Sequence, residues 1–535
     1  MVSWEQLIIN EHSAFSWLLI PFFSSSIVVI IIITLLLKLK SSSSSSSTTA
    51  KKNIPGPRRL PIIGNLHQLV SALPHQRLCD LAREHGPDVM HLRLGEVPHV
   101  VVSSSRAARE VMKTHDAVFA SRPSLLAAEM MTYAGSDLVF TRYGESYKRL
   151  RKICVVEVLG AGRVRYFRPV REEEVADLVR KFSRRAARGE AVDVSREMFW
   201  LSSRITCRTV LGKARELDDG FLRMVESVSE VMAGFKVSDL FPSLKFLPAV
   251  TGYKAQLRRM RREMESMLDG IIDEHKERRA EGGGGNEEDL VDVLLNLQAS
   301  GSTDFSLTMD NIKAVTVVSS DKLIILCLQE VFIAGVETSA TAIDWTMAEM
   351  MKDERVLRKA QEEVRQVYRG KTNVDESSLH ELKYLDLVIK ESLRLHPPLP
   401  LLFPRESQAK VEVCGYEIPA KTKVIVNCWA IGRDPQYWIE PTKFYPERFA
   451  DSTIDYKGNN FEFIPFGAGR RMCPGMLYAT AVVKLTLANL LYHFDWKLVD
   501  GMDAENLDMT EAFGVAVGRK CSLCLIPIAY DDVPI

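Results

Sequence analysis

Hydrophobic and polar positions divide the chain into segments of different character. Residues 13–37 are mostly apolar and carry no charged side chain; Glu5 and Glu11 precede them, and Lys38, Lys40, Lys51 and Lys52 come after. A run of that length spans the ~30 Å hydrocarbon core of a bilayer as one helix. The lysines place its carboxyl-terminal side in the cytosol. A cleaved signal peptide fits less well, because the run is long and ends in lysines without a small-residue cleavage pattern. Residues 41–47 are unbroken serine, a flexible polar tether. Ile54-Pro55-Gly56-Pro57 is stiff and turned. The chain thus divides into an anchor over 1–40, a linker over 41–52 and a folded body over 53–535.

Within the body, residues 91–103 alternate apolar and polar around Gly95 and Pro98, which predicts a β-hairpin. Residues 105–115 read as a short helix, and 171–187 and 257–279 as long, charged amphipathic helices. Residues 476–493 are apolar at helical spacing. Residues 384–398 set Tyr384, Leu387, Val388 and Leu395 on one apolar helical face, and Glu391 and Arg394 fall on the same face. Charges buried there must be paired, and i, i+3 spacing lets these two meet. Residues 121–141 are irregular and fairly apolar, and 281–288, with four consecutive glycines among acids, read as a surface loop.

Composition narrows the function. Hydrophobic residues make up 46% of 535, enough for one large catalytic core. Lys+Arg and Asp+Glu are both 69, so bulk charge does not drive nucleic-acid binding. The nine cysteines are scattered and odd in number, as expected of reduced thiols in a cytosolic body. Cys521 and Cys524 form one CxxC, but no second pair stands at zinc spacing, and the pair reads as part of a late strand. No HExxH occurs.

One cysteine stands in a different setting. Residues 465–475 read Pro-Phe-Gly-Ala-Gly-Arg-Arg-Met-Cys-Pro-Gly. Gly467, Gly469 and Gly475 give backbone freedom and close approach. Arg470 and Arg471 favour thiolate over thiol at Cys473, and the start of the following helix stabilises an anion. Such a thiolate suits a soft metal, haem iron included. A nucleotide-binding loop is excluded, because Met472 stands where the third glycine would fall.

The order Phe466, Gly469, Arg471, Cys473, Gly475 resembles the haem-binding loop of the cytochrome P-450 monooxygenases. Other stretches agree in the family's order. Ala334-Gly335-Val336-Glu337-Thr338-Ser339 is similar to the oxygen-side helix motif, in which an acid and an alcohol relay protons. Glu391 and Arg394, with Arg448 of Pro446-Glu447-Arg448-Phe449, resemble the buried ion network behind the haem loop. Tyr147 and Arg151 stand where the family has a propionate-binding tryptophan and arginine, and Arg405 resembles a further propionate arginine. Residues 121–141 and 222–250 correspond to segments over the substrate pocket, the latter touching the bilayer. Lys148, Arg149 and Lys152 form a basic patch that fits an acidic redox partner or a solvated face.

The resemblance implies a mainly α fold with a small β lobe, preceded by one transmembrane helix. It points to the plant A-type microsomal group, oxidising terpenoids or other small lipophilic metabolites. Cys473 is then the iron ligand of haem b. Phe466, Gly469, Arg471, Gly475, Tyr147, Arg151 and Arg405 hold the cofactor, and Glu337 and Thr338 deliver protons. Dioxygen is the co-substrate, and electrons come from NADPH through a flavoprotein reductase. The implied location is the endoplasmic reticulum membrane, with the catalytic body in the cytosol. Three other readings remain: a haem-dependent isomerase or dehydratase, a haem sensor without turnover, and a disabled enzyme.

The last of these rests on Tyr147 and on a departure from the family. Residues 316–329 intervene between a segment like Asn311-Ile312-Lys313-Ala314-Val315 and one like Glu330-Val331-Phe332. A dozen extra helical residues would shift the downstream motif by ~18 Å and turn it by roughly 120°. The insert is therefore expected to loop out or split the helix if the site is intact. The stretch also reads as translated intron sequence or a gene-model artefact; if it is a real part of the protein, poor haem loading is expected.

Overall fold

The computed structural model describes residues 53–70, 73–132, 137–212, 227–228, 231, 236–281, 288–299, 320–512 and 514–530. One compact unit comprises Ile54–Cys414 with Ile418–Ile535. A second groups Met1–Asn53 with Gly415–Glu417. The expected membrane span, the serine tether, the 281–288 loop (except Glu281 and Glu288) and 222–226, 229–230 and 232–235 of the 222–250 stretch lie outside the described residues. Among the described residues no helix is long and apolar enough to cross a membrane.

The elements follow the sequence pattern closely. Helix α1 is Pro74–His85, with proline at its first position, where its missing N–H costs nothing. Strands β1 (Val89–Leu94) and β2 (Val97–Val102) form the expected antiparallel hairpin, turned at Gly95 with φ +60°. Helix α2 (Ser105–Arg109) is capped by the Ser104 side chain and continues as a π-turn, Glu110–Thr114. The irregular 121–141 stretch contains a short helix, α3 (Leu126–Met131), that its sequence did not announce. Helices α4 (Glu145–Ile153), α5 (Arg168–Ala186) and α6 (Val194–Leu211) come next, with β3 (Val192–Asp193) between the last two. They lead into α7 (Val237–Leu240), the long α8 (Tyr253–Ala280) and α9 (Leu290–Ala299).

Helix α10 (Ser320–Lys352) is the axis of the body. Every residue from Ser339 to Ala348 is buried, the signature of a helix enclosed on all sides. It packs on α6, on α12 (Lys383–Leu395) and on α13 (Met476–His493). Helix α11 (Glu354–Val367) covers α12 and α13. Residues Leu485–Tyr492 of α13 are buried without a break. The β lobe is small: a four-stranded sheet ordered β1-β2-β5-β4, with β4 Arg405–Glu406 and β5 Lys423–Val426. Strand β5 runs parallel to β2 and pairs Lys423 with His99. A three-stranded sheet is ordered β3-β7-β6, with β6 Phe494–Leu498 and β7 Cys524–Ala529. Cys524 opens β7, and the eight cysteines whose side chains are described are all free.

One expectation fails. Helix α10 is regular through residues 320–329, so the insert neither loops out nor splits the helix there; residues 316–319 are not described. Residues 320–329 run as helix directly into the motif, whose carboxyl-terminal neighbours Ser339–Ala348 are buried and fix its place by packing.

Candidate active site

The Cys473 loop is built by backbone constraint. Gly467 and Gly469 both take φ +69°, a region that costs other residues roughly 1–2 kcal/mol. A Cβ on Gly469 would lie 2.1 Å from the Met112 carbonyl oxygen, so this glycine seats the loop against the π-turn and is not part of the cavity lining. Gly475 needs no special conformation, with φ −87°. The Phe466 carbonyl accepts from the Cys473 N–H at 2.9 Å and closes the loop, and α13 starts immediately after Gly475.

Cys473 lies deep in the protein yet is accessible, because its sulfur faces a large internal cavity. Burial raises its thiol pKa, and the Gly475 backbone N–H and the Arg151 charge oppose that rise. The nearby positive charge is thus Arg151. Arg470 instead bonds Tyr143 and Asp116. Arg471 donates to the carbonyls of Ala120, Leu138 and Thr141 and stacks on the Tyr147 ring at 3.7 Å.

The cavity and its mouth together span about 1800 Å³. Helix α10 supplies one wall through Ala334, Gly335, Thr338, Ser339 and Ala342. The Thr338 hydroxyl donates to the Ala334 carbonyl at 2.6 Å. The helical turn of about 100° per residue puts Glu337, half-buried, outside the lining. Leu399, Leu402 and Phe403 close the far side with apolar surface.

Four arginines line this cavity: Arg122, Arg151, Arg405 and Arg471. Tyr147 and Arg151 both reach it, as their i, i+4 spacing requires. The Tyr147 phenol, however, donates to the Arg470 carbonyl at 2.5 Å, so its one hydrogen already has an acceptor within the chain. Arg405 bonds Asp116 at 3.2 Å and the Ala468 carbonyl at 3.0 Å. Arg122 is the residue sequence reasoning missed. Its Nε and Nη1 meet the carbonyls of Val139, Phe403 and Pro404, and among the described residues no carboxylate pairs with it. Burial and repulsion from Arg471 and Arg405 pull its pKa far down. Arg471 is likewise pushed down to about 10, chiefly by burial. The only sequence signal for Arg122 is a lone arginine before Pro123 in an apolar stretch.

Behind the loop, Glu391 and Arg394 are fully buried and joined twice, at 2.7 and 2.8 Å. Arg448 Nε reaches the same carboxylate at 3.0 Å. Arg394 Nη1 also donates to the carbonyls of Gly432 and Pro441. The expected network is thus assembled, and it clamps α12 to the 432–448 segment.

These residues fit haem. A sulfur on the cavity wall matches its iron, glycines leave room for its face, and a rim with more guanidinium than carboxylate matches its two propionates. Arg122, Arg151 and Arg405 would hold those carboxylates.

Comparison with known proteins agrees. A sequence model for the family described as Cytochrome P450 matches residues 54–521. Premnaspirodiene oxygenase of Hyoscyamus muticus is 46% identical over 485 residues, covering 90% of this chain and 94% of its own length. The 5-epiaristolochene 1,3-dihydroxylase of Nicotiana tabacum is also 46% identical, with the same coverage of both chains. A zebra fish cytochrome P450 solved with abiraterone superposes with a TM-score of 0.70 at 24% identity, over 86% of this chain and 99% of that one. Nearly half the residues shared along nine-tenths of the chain bring the chemistry with the fold, and the chain belongs to the cytochrome P450 family as a haem-thiolate monooxygenase.

Proposed function

We propose that the enzyme hydroxylates a small lipophilic plant metabolite, a terpenoid above all, on the endoplasmic reticulum membrane. Residues 13–37 would anchor it, with the catalytic body in the cytosol. One oxygen atom of dioxygen enters a C–H bond and the other leaves as water, with two electrons from NADPH. Haem b, with Cys473 thiolate on its iron, supplies O–O cleavage when bound.

The observation that carries the substrate class is the apolar part of the cavity lining. Ala334, Ala342, Leu399, Leu402 and Phe403 offer a hydrocarbon surface with few polar groups. Such a wall holds a molecule by burial and leaves position to shape. Thr338 carries a hydroxyl at the edge of that wall and is the group best placed to pass a proton. Glu337, one residue earlier and outside the lining, serves as the proton source behind it. The names of both plant relatives specify terpenoid oxygenation, which supports the same class.

Electrons come from a flavoprotein reductase. Lys148 and Lys152 are exposed on α4, about a quarter-turn round the helix from Tyr147 and Arg151, where an acidic partner would dock. The test is incubation of microsomes carrying the full chain and a reductase with a sesquiterpene panel. NADPH-dependent alcohols that vanish in Cys473→Ser are expected. Turnover without NADPH would replace this reading with an isomerase.

A further inference from the structure

A second cavity, with about 900 Å³ of empty space, adjoins the first. Leu399, Leu402 and Phe403 line both, so the two chambers meet along one apolar ridge. The second is also mainly hydrocarbon, with Leu125, Phe140 and Ile425 among its walls. Two polar side chains, His99 and Lys423, stand in that wall with hydrogen-bonding capacity left over.

His99 and Lys423 are direct partners across the parallel β2–β5 pair. Residues so paired point to the same face of a sheet, with their side chains adjacent. His99 is 4% exposed, and its Nδ1 lies 3.0 Å from the Val97 carbonyl. A carbonyl only accepts, so Nδ1 carries the hydrogen and Nε2 of the neutral ring is left as an acceptor. Burial and the Lys423 charge keep the ring neutral, with a pKa pushed down to about 3. The Lys423 ammonium has one acceptor, the Asp239 backbone carbonyl at 3.4 Å, and among the described residues no carboxylate is within ion-pair distance. Burial depresses its pKa as well. Asp239 gives one oxygen to the Leu126 N–H at 2.8 Å, tying α7 to α3 over the chamber.

The result is a strong donor beside an unused acceptor in an otherwise oily pocket. The nearby Asp239 charge balances Lys423 and disfavours a carboxylate ligand. A hydroxyl group answers both needs, because it accepts from an ammonium and donates to an imidazole nitrogen. We propose that this chamber is a specificity subsite for the hydroxyl end of an amphipathic terpenoid, held between Lys423 and His99. The hydrocarbon part then lies across Leu399, Leu402 and Phe403 toward the cysteine cavity. The enzyme would accordingly prefer a substrate already bearing one oxygen, supplied by an earlier hydroxylation or by diphosphate hydrolysis. This rests on the monooxygenase reading above.

The test uses the full-length, haem-loaded protein and two probes with one skeleton, β-farnesene and farnesol. Each is titrated while the ligand-induced shift of the haem absorbance is followed. The wild type is expected to bind farnesol roughly tenfold or more tightly than farnesene, the scale of a hydrogen bond to a charged group. Lys423→Met and His99→Leu, run side by side, are expected to abolish that preference and leave farnesene binding unchanged. Equal affinity of the wild type for the two probes, or a preference that survives both substitutions, overturns the proposal. Failure of the monooxygenase reading shows separately, as loss of the thiolate band in the reduced carbon-monoxide spectrum.

Discussion

Replacing Glu391 by alanine is the most demanding test of how the haem loop is supported. The carboxylate accepts four hydrogen bonds: Arg394 Nε at 2.7 Å, Arg394 Nη2 at 2.8 Å, Arg448 Nε at 3.0 Å and the Tyr445 N–H at 2.8 Å. It is completely buried, and Arg394 is nearly so. Removal leaves two arginines without their shared anion, and breaking a buried pair from one side costs roughly 3–5 kcal/mol. The stranded Tyr445 amide adds about 1–3 kcal/mol. The sum, roughly 4–8 kcal/mol, rivals the ~5–15 kcal/mol that holds a whole domain together. Glu391→Ala is therefore expected to yield little haem-loaded protein. Glu391→Gln, which keeps acceptors but loses the charge, should fall between it and the wild type. The assay is haem per unit of protein from the reduced carbon-monoxide spectrum, with urea midpoints alongside. A Glu391→Ala protein with wild-type loading and midpoint would show that the network contributes nothing to the fold.

Three further substitutions separate backbone, positioning and charge. Gly469→Ala sets a Cβ 2.1 Å from the Met112 carbonyl oxygen at φ +69°, whereas Gly475→Ala meets only Cys473 Sγ and Leu159 at 3.9 Å. Haem loading should collapse in the first and survive in the second, and equal loading would remove the steric account. Tyr147→Phe deletes only the bond to the Arg470 carbonyl, costing about 1 kcal/mol in urea stability. Haem affinity should be unchanged, and a large fall in affinity at constant stability would return the phenol to the propionates. Asp344 is held by burial at a pKa of about 6, above its ordinary 3.8, so the folded chain binds its proton more tightly than the unfolded chain. Its penalty therefore grows as pH rises between about 4 and 6 and is constant above. Asp344→Asn should be more stable than the wild type by about 2–3 kcal/mol at neutral pH, with the gap closing toward pH 4; a gap independent of pH would refute the titration.

Period and motif speak for regular elements and for residues whose partners are near in sequence. Helix α13 and the β1–β2 hairpin match their predicted spans to within a few residues, because their apolar faces are continuous and their turn is fixed by Gly95. Glu391 and Arg394 are legible because they are charges on an apolar face at i, i+3. Arg122 is not, since its place on the cavity wall beside Arg405 and Arg471 exists only in three dimensions. The role of Tyr147 is hidden for a similar reason: its acceptor, Arg470, is 323 positions away. Gly469 is recognisable as a close-approach residue, but only the fold shows that the approach is to Met112.

Helix α10 shows why counting residues from an upstream landmark misplaces a catalytic turn. Below the motif, three consecutive buried residues hold the helix at one height. Asp344 accepts from the Ser195 hydroxyl at 2.6 Å, Trp345 Nε1 donates to the Val517 carbonyl at 2.9 Å, and the Thr346 hydroxyl meets that of Ser392 at 2.9 Å. Trp345 also stacks on His396 with centroids 3.9 Å apart. Sliding the helix by one turn, about 5.4 Å, would break all three bonds and strand their buried groups. Each stranded group costs roughly 1–3 kcal/mol, and a rotation would also turn Ile343 and Met347 out of the core. Nothing described upstream of Val331 exerts comparable leverage on the lower half of the helix. That packing sets the height of the motif, and Thr338, under two turns above Asp344, stays on the cavity wall.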